Sequence, residues 1–253
     1  MQKNNIDNTN LVNRLKKMEE ELERAGLLRD TLIRIVSHDI RGPMSNLKSV
    51  ISLVREEQVG IEQAKEFMVT IDKGVDHTVQ MLEELMEWGQ AASRNKKVEQ
   101  EEIILKDVIE SIVKKIQPQI DDKKLDFEIS GDIDAVCLFD KNAIRVVLRN
   151  LFSNAVKFTE RGGQVRVKIN MQDDLIVIAV SDTGIGIPDE MKANLFELKK
   201  DNKRVGTENE KSSGVGLFIS KDLINQNDGT LKVEDNPDGK GTVFEFTMKR
   251  SKP

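Results

Sequence analysis

Cysteine, histidine, tyrosine, tryptophan and proline are scarce in this chain: its 253 residues hold one cysteine, two histidines, no tyrosine, one tryptophan and five prolines. A single cysteine, Cys137, excludes an internal disulfide and any multi-cysteine metal site. It sits in "DAVCLF", an apolar run that reads as a strand, where a buried and inert thiol is expected. Two histidines exclude a His-rich metal cluster. No apolar run approaches the ~20 residues of a membrane span. The opening "MQKNNIDNTN" has no hydrophobic centre of the kind a secretory signal needs. The chain is therefore expected to be cytoplasmic, with no direct membrane span; any membrane tether would lie in a part that precedes it. A net charge of −5 argues against nucleic acid as the main partner, because a surface that binds a phosphate backbone is usually basic.

What is abundant is helical patterning. Leu11, Leu15, Met18, Leu22 and Ala25 alternate spacings of four and three, a heptad seam with Lys16, Glu19, Glu20, Glu23 and Arg24 outside it. The seam slips at Leu28, Leu32 and Ile35, as when a coiled coil feeds a bundle with another packing face. Val50, Ile51 and Val54 close this first pattern. A second follows through Ile61, Ala64, Phe67, Met68, Ile71, Val75, Val79, Leu82, Leu85 and Met86. The connection is short, so the two helices should pack antiparallel. Two helices share one face and bury too little on their own, so a homodimer making four helices is expected. The polar "AASRNKK" that follows reads as a linker.

Beyond Val98 the rhythm changes. Strand-like runs ("KLDFEIS", "AVCLF", "GQVRVKIN", "LIVIAVS", "TLKVE", "TVFEFTM") are interspersed with helical ones at 106–118, 140–157, 189–196 and 215–226. Strands mixed with helices in this order predict a two-layer α/β domain.

Three motifs carry chemistry. "DTGIGIP" follows the strand "LIVIAVS": an Asp at a strand end, then glycines at alternate positions, suits a ligand approaching the backbone closely. "SSGVGLFIS" opens a helix, and backbone N–H groups there, freed of side chains at Gly214 and Gly216, make a phosphate seat. The charge-mixed "KKDNKRVGTENEK" before it has no core pattern and reads as a flap, longer than a simple connection requires. In "NLFSNAVKFTE", Asn150 and Asn154 stand four apart on one helix face, with Lys157 three further on. Asparagine is a poor residue for a helix interior. Amide oxygens beside a cation suit Mg²⁺ and phosphate, since Mg²⁺ keeps several waters and takes other oxygens from phosphates. Neither G-x-x-x-x-G-K-[ST] nor G-x-G-x-x-G occurs, so the phosphate site must be built in another way.

The ordered set "SHDIRGP", "NLFSNAVKFT", "DTGIGIP" and "SGVGLFIS" resembles the H, N, G1 and G2 boxes of sensor histidine kinases. The resemblance implies a multidomain chain. An N-terminal coiled coil (1–27) would lead into an all-α antiparallel hairpin for dimerisation and phosphoacceptance (28–93), a four-helix bundle as the dimer. A linker (94–98) and a catalytic α/β two-layer sandwich of the Bergerat ATP-binding type (99–253) would follow. It implies ATP and Mg²⁺ as cofactors, His38 as phosphoacceptor and Asp39 as its orienting neighbour. It implies Asn154 as the Mg²⁺ ligand, with Asn150 and Lys157 beside the phosphates. Asp182 would accept from the adenine amino group in a pocket shaped by Gly184 and Gly186. Gly214, Gly216 and Leu217 would lie at the phosphate-facing loop. The implied partners are a response-regulator receiver domain, a second copy of the chain, and an upstream sensor domain or sensor protein. The implied activity is an ATP-dependent protein-histidine kinase. The rivals are a degenerate ATP-binding signalling scaffold and another ATPase or serine kinase of the same fold. "SHDIRGP" on a dimerising hairpin speaks against the second, and intact His38, Asn154 and Asp182 against the first.

Two departures from the family pattern stand out. Ser212 replaces a glycine, and "LFELKK" keeps Phe196 but places Lys199 where a second phenylalanine is usual. The basic contact to phosphate thus stays open among Lys199, Lys200, Lys203 and Arg204. Pro43 lacks an N–H and crowds the carbonyl of Asp39, which predicts a bend just past His38. Gly42, four residues after His38, occupies a position where family members that dephosphorylate their regulator carry threonine or asparagine. A strong kinase with weak phosphatase activity is expected.

Overall fold

In the computed structural model the described residues are 26, 40–42, 44–56, 60, 62, 63, 65–69, 71, 72, 74, 75, 78, 79, 82 and 86, then 99–197, 204–208, 210 and 214–251. The chain divides into two compact units, 1–82 and 83–253. His38, Asp39, Pro43, Lys199, Lys200, Lys203 and Ser212 lie outside the described residues, as do most of the heptad seam and the linker.

In the first unit, residues 40–42 and 44–55 are helical, as are the described residues between 62 and 82. Gly42 is exposed within helix, and a Cβ added there meets nothing within 4 Å. Among the described residues no helix is long and apolar enough to cross a membrane.

The second unit is the α/β domain. Its strands are β1 (Glu101–Ile104), β2 (Asp126–Gly131), β3 (Val136–Phe139), β4 (Gln164–Gln172), β5 (Leu175–Asp182), β6 (Leu231–Asp235) and β7 (Thr242–Arg250). Its helices are α1 (Leu105–Lys123), α2 (Lys141–Phe158), α3 (Asp189–Lys192) and α4 (Gly216–Gln226). The sheet runs β1-β3-β7-β5-β4-β2, with β6 also pairing β7. Only β2 and β4 pair in parallel; all other pairings are antiparallel.

Strand alternation builds the core. Val165, Val167 and Ile169 of β4, Ile176, Ile178 and Val180 of β5, and Phe244, Phe246 and Met248 of β7 are buried. Leu105, Ile109, Ile112, Ile116 and Ile120 of α1 and Ile144, Val147, Leu148, Leu151 and Phe152 of α2 supply the helical layer. Phe152 meets Phe127 of β2 edge to face, with ring centroids 5.9 Å apart. Helix α2 starts where Asp140 Oδ1 accepts from Asn142 N and Ala143 N, both at 2.9 Å, capping the first turn.

The structure departs from the sequence reading in three elements. β1 ("EEII") was not anticipated: it is short, and its pairing with β3 is long-range. α1 continues past Pro118 to Lys123, because Ile116, Ile120 and Lys123 keep its inner face buried beyond the proline. The helix expected over 189–196 stops at Lys192 and gives way to turns.

Candidate functional site

β5 places the first functional side chain. Ile176, Ile178 and Val180 point into the core, and the next residue in phase is Asp182, only 5% exposed. Its carboxyl is held by backbone: Oδ1 accepts from Gly184 N at 2.9 Å and Thr242 N at 3.2 Å. Among the described residues Oδ2 accepts nothing. Burial pushes the Asp182 carboxyl up to about 6; the two backbone N–H groups and the Arg204 guanidinium hold it from rising further. A buried carboxylate with one oxygen uncommitted is an acceptor awaiting a donor.

Two close approaches build this end of the site. A Cβ at Gly184 would collide with the carbonyl oxygen of Phe158, the last residue of α2. A Cβ at Gly241 would collide with the carbonyl of Asp182 itself. The β6–β7 turn "NPDGKGT" therefore lies directly on Asp182, and Asn236 Nδ2 donates to the Asp182 carbonyl at 2.8 Å. Asn236, Gly241 and Thr242 were not singled out from the sequence; the turn-rich run was their only signal. Gly186 adopts a left-handed φ of 66°, and its carbonyl accepts from Arg204 Nη2 at 2.7 Å. Arg204 also lies over the Phe158 ring at 5.0 Å. Of the four basic residues left open for phosphate, this one sits at the Asp182 end.

α2 offers the second face. Asn150 and Asn154 on it are used differently. Asn150 is 6% exposed and donates through Nδ2 to Gly216 O at 2.9 Å and to Ser220 Oγ at 3.3 Å. It ties α2 to the start of α4, and a Cβ at Gly216 would sit 2.8 Å from its Oδ1. Asn154, one turn on, is half-buried and has no hydrogen-bond partner among the described residues. Lys157 is half-buried, with Nζ 5.6 Å from the centre of the Phe158 ring. Gly214 takes a left-handed φ of 72° just before α4, the N-cap residue Val215 gives no side-chain cap, and Leu217 in the first turn of that helix is half-buried. Its first N–H groups form a positive helix end.

Among the described residues, no group of three or more His, Cys, Asp or Glu side chains is placed to hold a metal. A Mg²⁺ ion here would have to rest on phosphate oxygens, water and one neutral amide. Asn154 fits that demand because, among the described residues, its amide has no competing partner.

Residues 139–252 match the model of the histidine kinase-, DNA gyrase B-, and HSP90-like ATPase family. That segment is similar to an ATPase domain of this kind, and such a domain implies ATP binding. The "Non-motile and phage-resistance protein" of Caulobacter vibrioides is 28% identical over 237 residues, covering 89% of this chain and 28% of that protein. The "Sensor histidine kinase AruS" of Pseudomonas aeruginosa is 26% identical over 241 residues, 92% of this chain and 24% of that protein. The chain thus spans about a quarter of the length of these curated relatives. Among solved structures, histidine kinase ThkA in complex with the response regulator protein TrrA matches with a TM-score of 0.70 and 22% identity. That match covers 90% of this chain and 64% of that one. Together these findings support a sensor histidine kinase catalytic core.

Proposed function

We propose that the chain is an ATP-dependent protein-histidine kinase that phosphorylates its own His38 and passes the phosphoryl group to an aspartate of a response-regulator receiver domain. The observation that carries this reading is Asp182: a buried carboxyl anchored through Oδ1 by Gly184 N and Thr242 N, with Oδ2 accepting nothing among the described residues. The ionised carboxylate accepts from the exocyclic amino group of adenine, and Gly184 and Gly186 leave room for the flat base. The phosphates then extend toward Asn154, Lys157 and the first turn of α4 at Gly214 and Gly216. Asn154, with the phosphates, would hold a Mg²⁺ ion, which would supply charge neutralisation.

A neutral ring nitrogen of His38 attacks the γ-phosphorus. The bond from phosphorus to the β,γ-bridging oxygen breaks, and ADP leaves with the electron pair. Asp39 holds the proton on the other ring nitrogen and fixes the tautomer. In the second step a receiver carboxylate takes the phosphoryl group, the P–N bond breaks, and the imidazole is regenerated. The protein contributes positioning and electrostatics more than covalent chemistry.

The reading includes a homodimer. On a single chain Met44, Ile51, Val54, Met68 and Val79 are 42–59% exposed, and a second copy would cover such a face. It also includes a cytoplasmic location and input from a sensor domain or sensor protein. The relatives named sensor kinases and the ThkA–TrrA complex support the receiver as partner. The test is a chase: the chain is labelled with γ-³²P-ATP, freed of nucleotide and mixed with a receiver domain. Label is expected to move to the receiver and to stay on the kinase when the receiver aspartate is replaced by asparagine. Label that stays with the kinase in both mixtures would sink the phosphotransfer step.

A further inference from the structure

Lys123, the last residue of α1, is 3% exposed and belongs to no motif read from the sequence. A buried ammonium is unfavourable unless it is paired and hydrogen-bonded. Here Nζ faces the carbonyl oxygens of Val156 (3.1 Å), Lys157 (3.0 Å) and Thr159 (3.4 Å), at the negative end of α2. It also reaches Thr207 Oγ1 at 2.8 Å and Glu210 Oε1 at 2.8 Å. Thr207 closes the same knot from its side, donating to the carbonyls of Lys157 at 3.1 Å and Thr159 at 3.0 Å. One cation therefore ties the end of the helix carrying Asn154 and Lys157 to the segment 206–210.

The tie has a direct consequence for Lys157. Gly206 lies against it: a Cβ there would sit 2.7 Å from Lys157 Cγ and 2.5 Å from Glu210 Oε2. The Lys157 stem is thus confined between its own helix and a chain segment whose position Lys123 fixes. The Glu210 carboxylate lies against the same glycine. Burial alone would raise the Glu210 carboxyl, but the Lys123 ammonium and backbone N–H groups hold it below its usual range. Glu210 therefore stays charged beside Lys157, and Lys123 is the cation that compensates it. Without Lys123, that carboxylate would compete with phosphate for Lys157.

We propose that Lys123 is a positioning residue of the nucleotide site: it locks segment 206–210 onto the end of α2 and neutralises Glu210, so that Lys157 is presented to the phosphates. The proposal rests on the nucleotide reading given above. It separates the two ends of the site, because among the described residues Lys123 forms no hydrogen bond or ion pair with Asp182, Gly184 or Gly186. A purely structural lysine would affect both ends alike.

The test is calorimetric titration of the full chain with adenosine and, separately, with a non-hydrolysable ATP analogue plus Mg²⁺. Lys123→Met is expected to bind the analogue about tenfold more weakly and adenosine within twofold of wild type, and Lys123→Arg to restore most of the loss. Equal weakening of both ligands, or no weakening of the analogue, would overturn the proposal. Should Lys123→Met fail to fold, Thr207→Val decides from the partner's side. Its Lys123 keeps the carbonyl bonds and the Glu210 pair, but the segment loses the Thr207 hydroxyl bonds to the carbonyls of Lys157 and Thr159. Selective weakening of the analogue by about threefold supports the lock, and unchanged analogue binding overturns it. A wild-type chain that binds neither ligand overturns the nucleotide reading itself, and the proposal with it.

Discussion

Ile51, Val54, Met68 and Val79 of the first unit are 42–59% exposed, whereas Ile176, Ile178 and Phe246 of the second are fully enclosed. The α/β unit closes its own core with a seven-stranded sheet and two long helices. The described apolar side chains of the helical unit stay open to solvent on one chain. One unit encloses its own core, and the other leaves a face that the proposed dimer would cover. That division matches the proposed labour: nucleotide capture needs a rigid site with fixed distances, while phosphoryl acceptance and signal input need a surface other molecules can reach.

The sharpest way to separate the units is at His38. His38→Gln is expected to abolish phosphate incorporation completely while leaving ATP-analogue affinity, measured by calorimetry, within twofold of wild type. A parallel loss of binding would merge two functions held here to be separate.

The next largest effect concerns Asp182. With its carboxyl raised to about 6, only about a tenth is ionised at pH 5. Adenosine affinity should fall about tenfold between pH 8 and pH 5, and Asp182→Asn should flatten the profile at a low level. Stability runs the other way. The folded carboxyl binds its proton more tightly than an ordinary aspartate near 3.8, so folding is favoured below that value and loses this contribution as pH rises through about 6. Asp182→Asn removes the ionisation penalty. At pH 8 the variant should gain up to about 3 kcal/mol, seen as a raised denaturation midpoint.

A smaller effect tests the open face. Met68→Glu is expected to weaken self-association severalfold by light scattering while leaving adenosine binding unchanged. Equal loss of both would show that the units are not independent. The smallest effect is at Gly42. A side chain there meets nothing within 4 Å, so Gly42→Thr should change stability by no more than about 1 kcal/mol. It should also accelerate decay of the phosphorylated regulator, which wild type should scarcely do.

Much of the α/β unit was legible because its signals are local. Alternation in β4, β5 and β7 gave the sheet, and the phase of β5 carries directly to Asp182. Asn150 and Asn154 stand out as asparagines on a packed helix, but their sequence spacing does not show that one is consumed by Gly216 and Ser220 while the other stays open. Gly184 announced itself as a glycine after a strand, whereas Gly241 and Thr242 reach Asp182 across the β5–β7 pairing. Lys123 was silent because its partners lie 33 to 87 residues away, and three of them are backbone carbonyls that any sequence would supply. Pro118 misled in the opposite direction: a local breaker was outweighed by burial on both sides of it.

The most direct measurement places the phosphate. The chain is incubated with γ-³²P-ATP and Mg²⁺, denatured and split between acid and base, and the labelled peptide is identified by mass spectrometry. The account expects acid-labile, base-stable label on His38. Acid-stable label on serine or threonine, or no label from a chain that binds the nucleotide, would contradict it.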